Sequence, residues 1–230
     1  MKGTLKPRVK ICCISSREEA LIAIEFGASA LGLVGNMPSG PGVILDEEIK
    51  EITQIVPPPI STFLLTSETD AERIVQHHKK VNTNTIQIVD VLAQGTFEQI
   101  RDALPNIKLV QVIHVIDKGS VEEALKASEF VDAILLDSGN PNLKIKEFGG
   151  TGRTHNWELS KKIRESIDVP LFLAGGLNSK NVRKAIEYVQ PFGLDLCSGV
   201  RTNGKLDKQK LGAFFSAINE AQEIVVSNTK

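Results

Sequence analysis

The sequence has 230 residues and a net charge of -1, with 41% hydrophobic and 24% charged residues. This composition is typical of a soluble globular protein, and the balanced charge argues against a nucleic-acid or membrane-surface partner, which would require a basic face. The sequence contains no apolar run of about 18 residues that could cross a membrane, and MKGTLKPRVK lacks a signal-peptide core. We therefore expect a cytoplasmic protein.

Short apolar runs alternate with helical patterns along the chain. The predicted strands are 8–14, 28–34, 60–65, 85–89, 107–115, 131–136, 169–174 and 193–196. These runs are apolar on both faces, as in a parallel sheet that is covered on both sides. Eight strand–helix units without a linker predict one domain over residues 1–230, a single (β/α)8 TIM barrel. The alternative is an open doubly wound sheet, which tends to carry its glycine motif near the N-terminus.

Paired glycines follow the seventh predicted strand and precede a helical pattern that begins at Asn178. Gly175 and Gly176 let the backbone approach a ligand closely, and the free N–H groups at the positive end of a following helix suit a phosphate. An ordinary tight turn is the alternative interpretation. Ser198 and Gly199 follow the eighth strand, and barrels commonly hold phosphate at the loops after strands seven and eight. The two pairs together favour a phosphate site.

Two polar residues stand where apolar strands end, which is where the active sites of such barrels lie. Cys12 is near the end of the first strand, and Asp137 follows the sixth. A thiolate can take a proton from carbon, and a carboxylic acid in a partly desolvated pocket can donate one. The pair suits proton transfer on a small sugar. The alternatives are a small core cysteine and a loop-capping aspartate.

The other cysteines and histidines indicate neither a disulfide framework nor a metal site. Cys12, Cys13 and Cys197 are too few and too unevenly placed for a framework, and no Cys or His spacing is typical of metal ligands. Because neighbours in a strand face opposite sides, we expect at most one of Cys12 and Cys13 to face a given site. We expect His77 and His78, on a polar helical stretch, to be solvated.

Several segments resemble one enzyme family. They are KICCIS (10–15), ALGLV (30–34), LLDS (135–138), GGTGRTHNW (149–157), FLAGGLNSKNV (172–182) and GLDLCSGV (193–200). In these segments the chain resembles phosphoribosylanthranilate isomerase of tryptophan biosynthesis, as a divergent member. The resemblance spans nearly the whole chain, and its part from LLDS onward is the most specific.

The resemblance implies an Amadori rearrangement without cofactor or metal, catalysed by an intramolecular oxidoreductase of the aldose–ketose isomerase type. N-(5'-phosphoribosyl)anthranilate, a small-molecule phosphosugar, would become 1-(2-carboxyphenylamino)-1-deoxyribulose 5-phosphate. Asp137 matches the general acid that opens the furanose ring, and Cys12 matches the general base that removes the C2' proton. The loop containing 149–153 would be a mobile cover over the site. The implied substrate- and phosphate-binding residues are Gly150, Gly152, Arg153, Gly175, Gly176, Ser198 and Gly199.

The chain departs from the family pattern beside the catalytic cysteine and at the aromatic-acid end of the site. The family usually has glycine after the catalytic cysteine, where this chain has Cys13. The family's second-loop arginine, thought to meet the anthranilate carboxylate, aligns with Gly42, and the segment 36–42 has no positive charge. The family's Gln-Leu-His-Gly after strand four is Gln-Ile-Val-Asp here, which places Val89 and Asp90 at this end.

Losing an arginine–carboxylate contact would cost about 2 kcal/mol or more in binding. Arg153 or Arg201 could offset this loss, whereas Asp90 would repel the carboxylate if it pointed toward it. Three functions therefore stay open. They are the isomerase itself, a related phosphosugar isomerase with a different aglycone, and a sugar-phosphate-binding barrel without catalysis. A matched acid and base speak against the last, since a binding protein needs neither.

Overall fold

The computed structural model is a closed barrel of eight parallel strands, with helices on its outside. The structure describes residues 7–140, 142, 143, 146, 148, 150 and 152–228, with side chains as far as residue 220. The strands pair in chain order, and β8 closes the barrel on β1. This closure confirms the predicted (β/α)8 barrel and excludes the open sheet, which would leave two strand edges unpaired.

The elements follow the predicted alternation. The barrel strands are β1 (Arg8–Ile11), β2 (Ala30–Val34), β3 (Ser61–Thr66), β4 (Thr85–Ile88), β5 (Lys108–His114), β6 (Ala133–Asp137), β7 (Leu171–Leu173) and β8 (Gly193–Leu196). The helices are α1 (Arg17–Glu25), α2 (Asp46–Ile55), α3 (Ala71–Val81), α4 (Phe97–Ala103), α5 (Gly119–Ser128), α6 (Trp157–Ser166), α7 (Val182–Val189) and α8 (Lys208–Asn228). Between β8 and α8 lie a 3-10 turn (Ser198–Val200) and a short hairpin of β9 (Arg201–Thr202) and β10 (Lys205–Leu206).

Alternate strand residues build two apolar layers. On β3, Leu64 packs into the large layer between strands and helices, whereas Phe63 and Leu65 belong to the cluster inside the barrel. Phe63 meets Phe172 of β7 edge to face, with ring centroids 5.9 Å apart. Side chains of the described strands therefore fill the interior, as is usual in such barrels.

Side-chain caps fix where several helices begin. The backbone N–H of Glu19 donates to Ser16 at 3.1 Å, and the N–H of Glu158 donates to Asn156 at 2.9 Å. Ser and Asn side chains in these positions satisfy N–H groups that the first helical turn leaves free.

The expectation that His77 and His78 are solvated is wrong. His78 is 8% exposed, and its Nε2 lies 2.7 Å from the carbonyl oxygen of Thr83. His77 is mostly buried, and its Nε2 lies 2.8 Å from a carboxylate oxygen of Asp46 on α2. The helical stretch is polar, but neighbouring segments of the outer layer cover this part of it and give both rings hydrogen-bond partners.

Among the described helices, none is both long and apolar enough to span a membrane.

Candidate active site

A pocket of about 660 Å³, its open mouth included, lies at the carboxyl ends of the barrel strands. Its lining residues come from the ends of β1, β2, β3, β4, β6, β7 and β8 and from the loops that follow them. Of the residues predicted from sequence, the pocket wall includes Cys12, Asp137, Gly150, Gly152, Gly175, Gly176, Ser198 and Gly199. Both predicted proton-transfer residues therefore face one pocket that the glycine loops also line.

Cys12 and Cys13 both line this pocket, so the expectation that at most one would do so is wrong. The predicted first strand was too long, because β1 ends at Ile11 and the period-two alternation stops there. Cys13 has a φ of 62°, in the left-handed region that favours glycine. This backbone turn brings the second side chain to the same side as the first, and it explains why glycine suits this position.

A buried ion pair that sequence reasoning did not find lies beside Cys12. Lys10 is fully buried on β1, and its Nζ is 2.9 Å from a carboxylate oxygen of Asp195 on β8, which lines the pocket. Burial opposes the charge of Lys10, but Asp195 and the two neighbouring cysteines outweigh burial and raise the pKa of Lys10. In the sequence, a charged lysine within a short apolar strand was the feature that could have indicated this buried ion pair. The pair places a permanent positive charge close to the sulfur of Cys12.

Gly32 on β2 makes room for this arrangement. A side chain at this position would bring its Cβ within 2.9 Å of the Cys12 sulfur and 3.0 Å of the Lys10 Nζ. The thiol and the ammonium therefore lie side by side against a strand residue that has no side chain.

Asp137 is the last residue of β6 and is 9% exposed. Its Oδ1 accepts a hydrogen bond from the backbone N–H of Ser138 at 2.7 Å. Burial raises the pKa of Asp137 to about 6, and the negative charge of Asp195 adds to this rise, although Ser138 and Lys10 oppose it. A carboxyl group with this pKa is protonated about a tenth of the time at pH 7, roughly a hundred times as often as an ordinary aspartate, which suits a general acid.

The loops after β7 and β8 approach each other so closely that glycine is required. A Cβ on Gly199 would lie 2.0 Å from the carbonyl oxygen of Leu177, and one on Gly176 would lie 2.7 Å from the backbone of Arg153. Within the described part of the chain, no acceptor is found for the backbone N–H groups of Gly176, Ser198 and Gly199. Free N–H groups on a pocket wall suit an anion.

The helix after the glycine pair begins at Val182, four residues later than the predicted start at Asn178. Asn178 and Asn181 hold a turn instead, and both side-chain amides donate to the carbonyl oxygen of Gly176, at 3.1 and 3.0 Å. Asparagine competes for local backbone groups in this way and so favours turns over helix. The backbone of Gly175, Gly176, Ser198 and Gly199, called the cradle below, is therefore loop backbone and does not include the first turn of α7.

The loop between β6 and α6 meets the loop between β2 and α2 over the pocket. The hydroxyl of Ser39 donates to the carbonyl oxygen of Lys146, and a Cβ on Gly150 would lie 2.6 Å from the ring of Pro41. Phe148 is buried against the pocket. Arg153 is exposed and does not line the pocket, although its backbone contacts Gly176. Gly149, which begins the predicted cover, lies outside the described residues.

Arg201 cannot serve as the missing cation, so that expectation is wrong. Its guanidinium donates to both carboxylate oxygens of Glu19 at 2.9 Å, and to the carbonyl oxygens of Cys12 and Cys13 at 3.3 and 2.5 Å. Arg201 is 8% exposed. The residue is committed to holding the backbone after β1 in place.

Asp90 does not stand unpaired at the end of β4. Its carboxylate accepts from the Nζ of Lys146 at 2.5 Å, and the same ammonium lies 5.9 Å from the centre of the Phe148 ring. Neither Asp90 nor Lys146 lines the pocket, but Asp90 directly follows Val89 and Lys146 lies beside Phe148, and both Val89 and Phe148 line its wall. The Lys146 ammonium, paired with Asp90, therefore lies next to the apolar wall of the pocket.

The structure reveals two further polar groups to which sequence reasoning gave no role. Gln87 lines the pocket and is 3% exposed, and among the described residues its Oε1 has no hydrogen-bond partner. His155 lies behind Gly175, with Nε2 2.7 Å from the Ser160 hydroxyl, and burial lowers the pKa of His155 to about 4. The imidazole is therefore neutral near pH 7, and any charge complement for an anion must come from elsewhere.

A closed parallel barrel with an acid, a thiol and a glycine-rich wall at its carboxyl end defines a (β/α)8-barrel enzyme. The family model described as N-(5'phosphoribosyl)anthranilate (PRA) isomerase matches residues 9–217. Curated isomerases of this name from Methanocella arvoryzae and Methanosarcina acetivorans are each 33% identical to the chain. The first alignment covers 84% of this chain and 88% of the relative, and the second covers 94% and 95%.

Solved structures give the same result. The phosphoribosylanthranilate isomerase of Thermotoga maritima is 32% identical, with a TM-score of 0.78, over 93% of this chain and 99% of its own. Another such isomerase, at 30% identity and a TM-score of 0.75 over the same shares, was solved with reduced 1-(o-carboxyphenylamino)-1-deoxyribulose 5-phosphate. The chain belongs to the N-(5'-phosphoribosyl)anthranilate isomerase family, which confirms the resemblance drawn from its sequence segments.

Proposed function

We propose that this chain converts N-(5'-phosphoribosyl)anthranilate into the corresponding 1-deoxyribulose 5-phosphate, with Asp137 as general acid and Cys12 as general base. The observation that carries the proposal is their joint position on one pocket, which the glycine loops after β7 and β8 also line. Family membership supplies the substrate, and the pocket supplies an acid, a base and an anion cradle for it.

The geometry suits a two-stage proton transfer. Protonated Asp137 gives its proton to the ring oxygen, and the C1'–O bond breaks to leave a Schiff base between C1' and the anthranilate nitrogen. The Cys12 thiolate then removes the C2' proton, and the resulting enolamine becomes the ketose. C2' is oxidised while C1' is reduced, so the reaction is an intramolecular oxidoreduction. The Lys10 ammonium lies beside the Cys12 sulfur, against Gly32 of β2.

The phosphate is held by backbone in this proposal. Gly175, Gly176, Ser198 and Gly199 would surround it, with Gly150 and Gly152 closing from the loop above. A Cβ on Gly152 would lie 3.6 Å from the Ser198 hydroxyl, so this loop already packs against the cradle. We assign Arg153 to the rim of the same site, and the loop to covering it.

Lys146 takes the place of the second-loop arginine in this proposal. The wall formed by Met37, Val89 and Phe148 is apolar and suits an aromatic ring. The Lys146 ammonium, next to Phe148 of this wall and paired with Asp90, can meet a carboxylate on that ring. Asp90 would then hold the ammonium in position rather than repel the substrate.

Replacing Cys12 or Asp137 by alanine separates catalysis from binding. Turnover should fall by at least about 10²-fold in each variant, because general acid–base groups contribute about that much or more. Affinity for a pentose 5-phosphate, measured by calorimetry, should change little, since the cradle is elsewhere. Full turnover in both variants would overturn the assignment of acid and base. If the unaltered protein binds the pentose 5-phosphate but shows no turnover, the chain is a phosphosugar-binding barrel.

Replacing Lys146 by alanine tests the aglycone contact. The KM for phosphoribosylanthranilate should rise about tenfold or more, because a charge-assisted contact contributes about 1.5–3 kcal/mol. Affinity for ribose 5-phosphate, which lacks the aromatic acid, should be unchanged. Lys146→Arg is the matched control and should keep most of the affinity. An unchanged KM in Lys146→Ala would remove this residue from aglycone recognition and favour an isomerase with another aglycone.

We place the protein in the cytoplasm and treat the chain as one domain. Three free cysteines, two of them in contact, fit a reducing compartment. The eight strand–helix units share one closed barrel, which supports a single folding unit.

A further inference from the structure

Two thiols that the proposed reaction does not use touch each other on the pocket wall. The sulfur atoms of Cys13 and Cys197 are 2.8 Å apart, and both residues line the pocket beside Cys12. Both are free cysteines. A disulfide requires a sulfur–sulfur distance of about 2.0 Å, so a movement of less than about 1 Å would allow the bond to form.

The backbone holds this thiol pair in place from both sides. β1 and β8 are paired with Ile11 opposite Leu196, and the N–H of Cys12 donates to the carbonyl oxygen of Leu196 at 2.7 Å. Arg201 fixes the carbonyl oxygen of Cys13 from the other side. The left-handed φ of Cys13 turns its side chain toward the end of β8. The contact is therefore built by ladder register and an ion-paired arginine, not by two mobile surface side chains.

We propose that Cys13 and Cys197 form an oxidisable dithiol, and that a peroxide converts it to a disulfide that switches off the adjoining site. In the first step the Cys197 thiolate attacks hydrogen peroxide, giving a sulfenic acid and hydroxide. In the second step the Cys13 sulfur attacks the Cys197 sulfur, the S–OH bond breaks, and the Cys13 proton leaves with the hydroxyl as water. The two cysteines lose two electrons, and the peroxide gains them.

The surroundings assign these roles within the pair. Cys197 is the more exposed thiol, and its hydrogen bond with Cys13 and the nearby charge of Arg201 lower the pKa of Cys197. Hydrogen bonds to Cys12 and Cys197 raise the pKa of Cys13, which is also buried. Because the thiolate is the nucleophile toward peroxide, Cys197 reacts first and Cys13 resolves the intermediate.

The disulfide would act on both halves of the site. Cys13 directly follows Cys12, and Cys197 directly precedes Ser198 of the phosphate cradle. Drawing the two sulfurs together shifts both segments, and a misplacement of about 1 Å can lower a rate about 10²-fold. The loss of turnover rests on the proposed function, whereas formation of the disulfide does not.

The test is a disulfide map of the full chain after stepwise addition of hydrogen peroxide, alkylation of free thiols, digestion and mass spectrometry. The expected product is a Cys13–Cys197 cross-link, formed also in Cys12→Ala. Cys13→Gly, which suits the left-handed backbone, should accumulate sulfenic and sulfinic acid at Cys197 instead. A Cys12–Cys13 disulfide, or oxidation of Cys197 in the unaltered protein without a cross-link, would overturn the proposal.

The effect on the site is measured on the same samples. Turnover of the cross-linked protein should be at least tenfold below that of the reduced protein and should return with dithiothreitol. The turnover of each oxidised variant is compared with that of its own reduced form. Cys13→Gly should show no loss of turnover that dithiothreitol reverses. A mapped cross-link with unchanged turnover would refute the switch. A cross-link in a protein without isomerase activity would refute the proposed function and leave the disulfide standing.

Discussion

Cys13 and Gly42 are two departures from the family pattern that the structure brings into contact. Cys13 carries a side chain where the backbone is left-handed, which costs about 1 kcal/mol relative to glycine. Its Cβ occupies the space where a Cβ on Gly42 would lie, only 2.5 Å away. The two residues therefore depend on each other, because a side chain directly after Cys12 leaves no room for one in the second loop.

This dependence predicts a non-additive pair of substitutions. Gly42→Ala should lower the free energy of unfolding by about 2–4 kcal/mol, from overpacking and a left-handed φ of 79°. In the Cys13→Gly background the same change should cost at least about 1 kcal/mol less. Gly204→Ala, with a φ of 78° and no atom within 4 Å of the added Cβ, is the control for left-handed strain alone. Additive effects in denaturant unfolding would show that the two sites are independent.

The charges around Asp137 predict the pH dependence of turnover. Because the raised pKa of Asp137 is about 6, the acid form is lost as pH rises through that value, and kcat/KM should fall on the alkaline side. Asp195→Asn removes a like charge and leaves Lys10 in place. The loss of the negative charge and the retained positive charge of Lys10 both favour ionised Asp137. The alkaline limb of the kcat/KM profile should therefore move to lower pH by about one unit.

The control for this shift is Lys10→Met combined with Asp195→Asn. The double variant removes both charges, so its limb should lie closer to that of the unaltered protein. A limb at the same pH in all three proteins would show that another group is the titrating acid. Because breaking a buried ion pair costs about 3–5 kcal/mol, the profiles are measured well below the melting temperature of Asp195→Asn.

At the scale of elements, the loops after β7 and β8 form one unit. Asn178 and Asn181 fix the carbonyl oxygen of Gly176, and Leu177 packs its carbonyl oxygen where a Cβ on Gly199 would be. The sequence predicted this pairing of loops from their positions after the last two strands. It could not show that asparagine turns would replace the first turn of α7, because the same residues also cap helices.

Gly199→Ala should therefore disturb both loops at once. The added Cβ would lie 2.0 Å from a backbone oxygen that cannot yield cheaply, so affinity for inorganic phosphate or ribose 5-phosphate should fall at least tenfold. Gly212→Ala, on the outer helix α8, is the control and should keep the affinity. Calorimetric titration gives both values. Equal affinity in the two variants would remove Gly199 from the phosphate site.

At the scale of the molecule, the regular alternation of apolar runs and helical patterns was enough to predict the barrel and the edge that carries the site. The positions of Cys12 and Asp137 at strand ends could also be predicted from sequence. The pairing of Lys10 with Asp195 could not, since 185 residues separate them and their contact exists only after β8 closes on β1. The same closure places Cys13 against Cys197 and commits Arg201 to Glu19.

The decisive measurement is turnover of phosphoribosylanthranilate, generated in place from anthranilate and phosphoribosyl pyrophosphate by the preceding enzyme. We expect a fast, protein-dependent change in anthranilate fluorescence that is lost in Cys12→Ala and in Asp137→Ala. No change with a folded protein that still binds a pentose 5-phosphate would contradict the proposed function, and would show that the barrel and the phosphate cradle serve a different substrate.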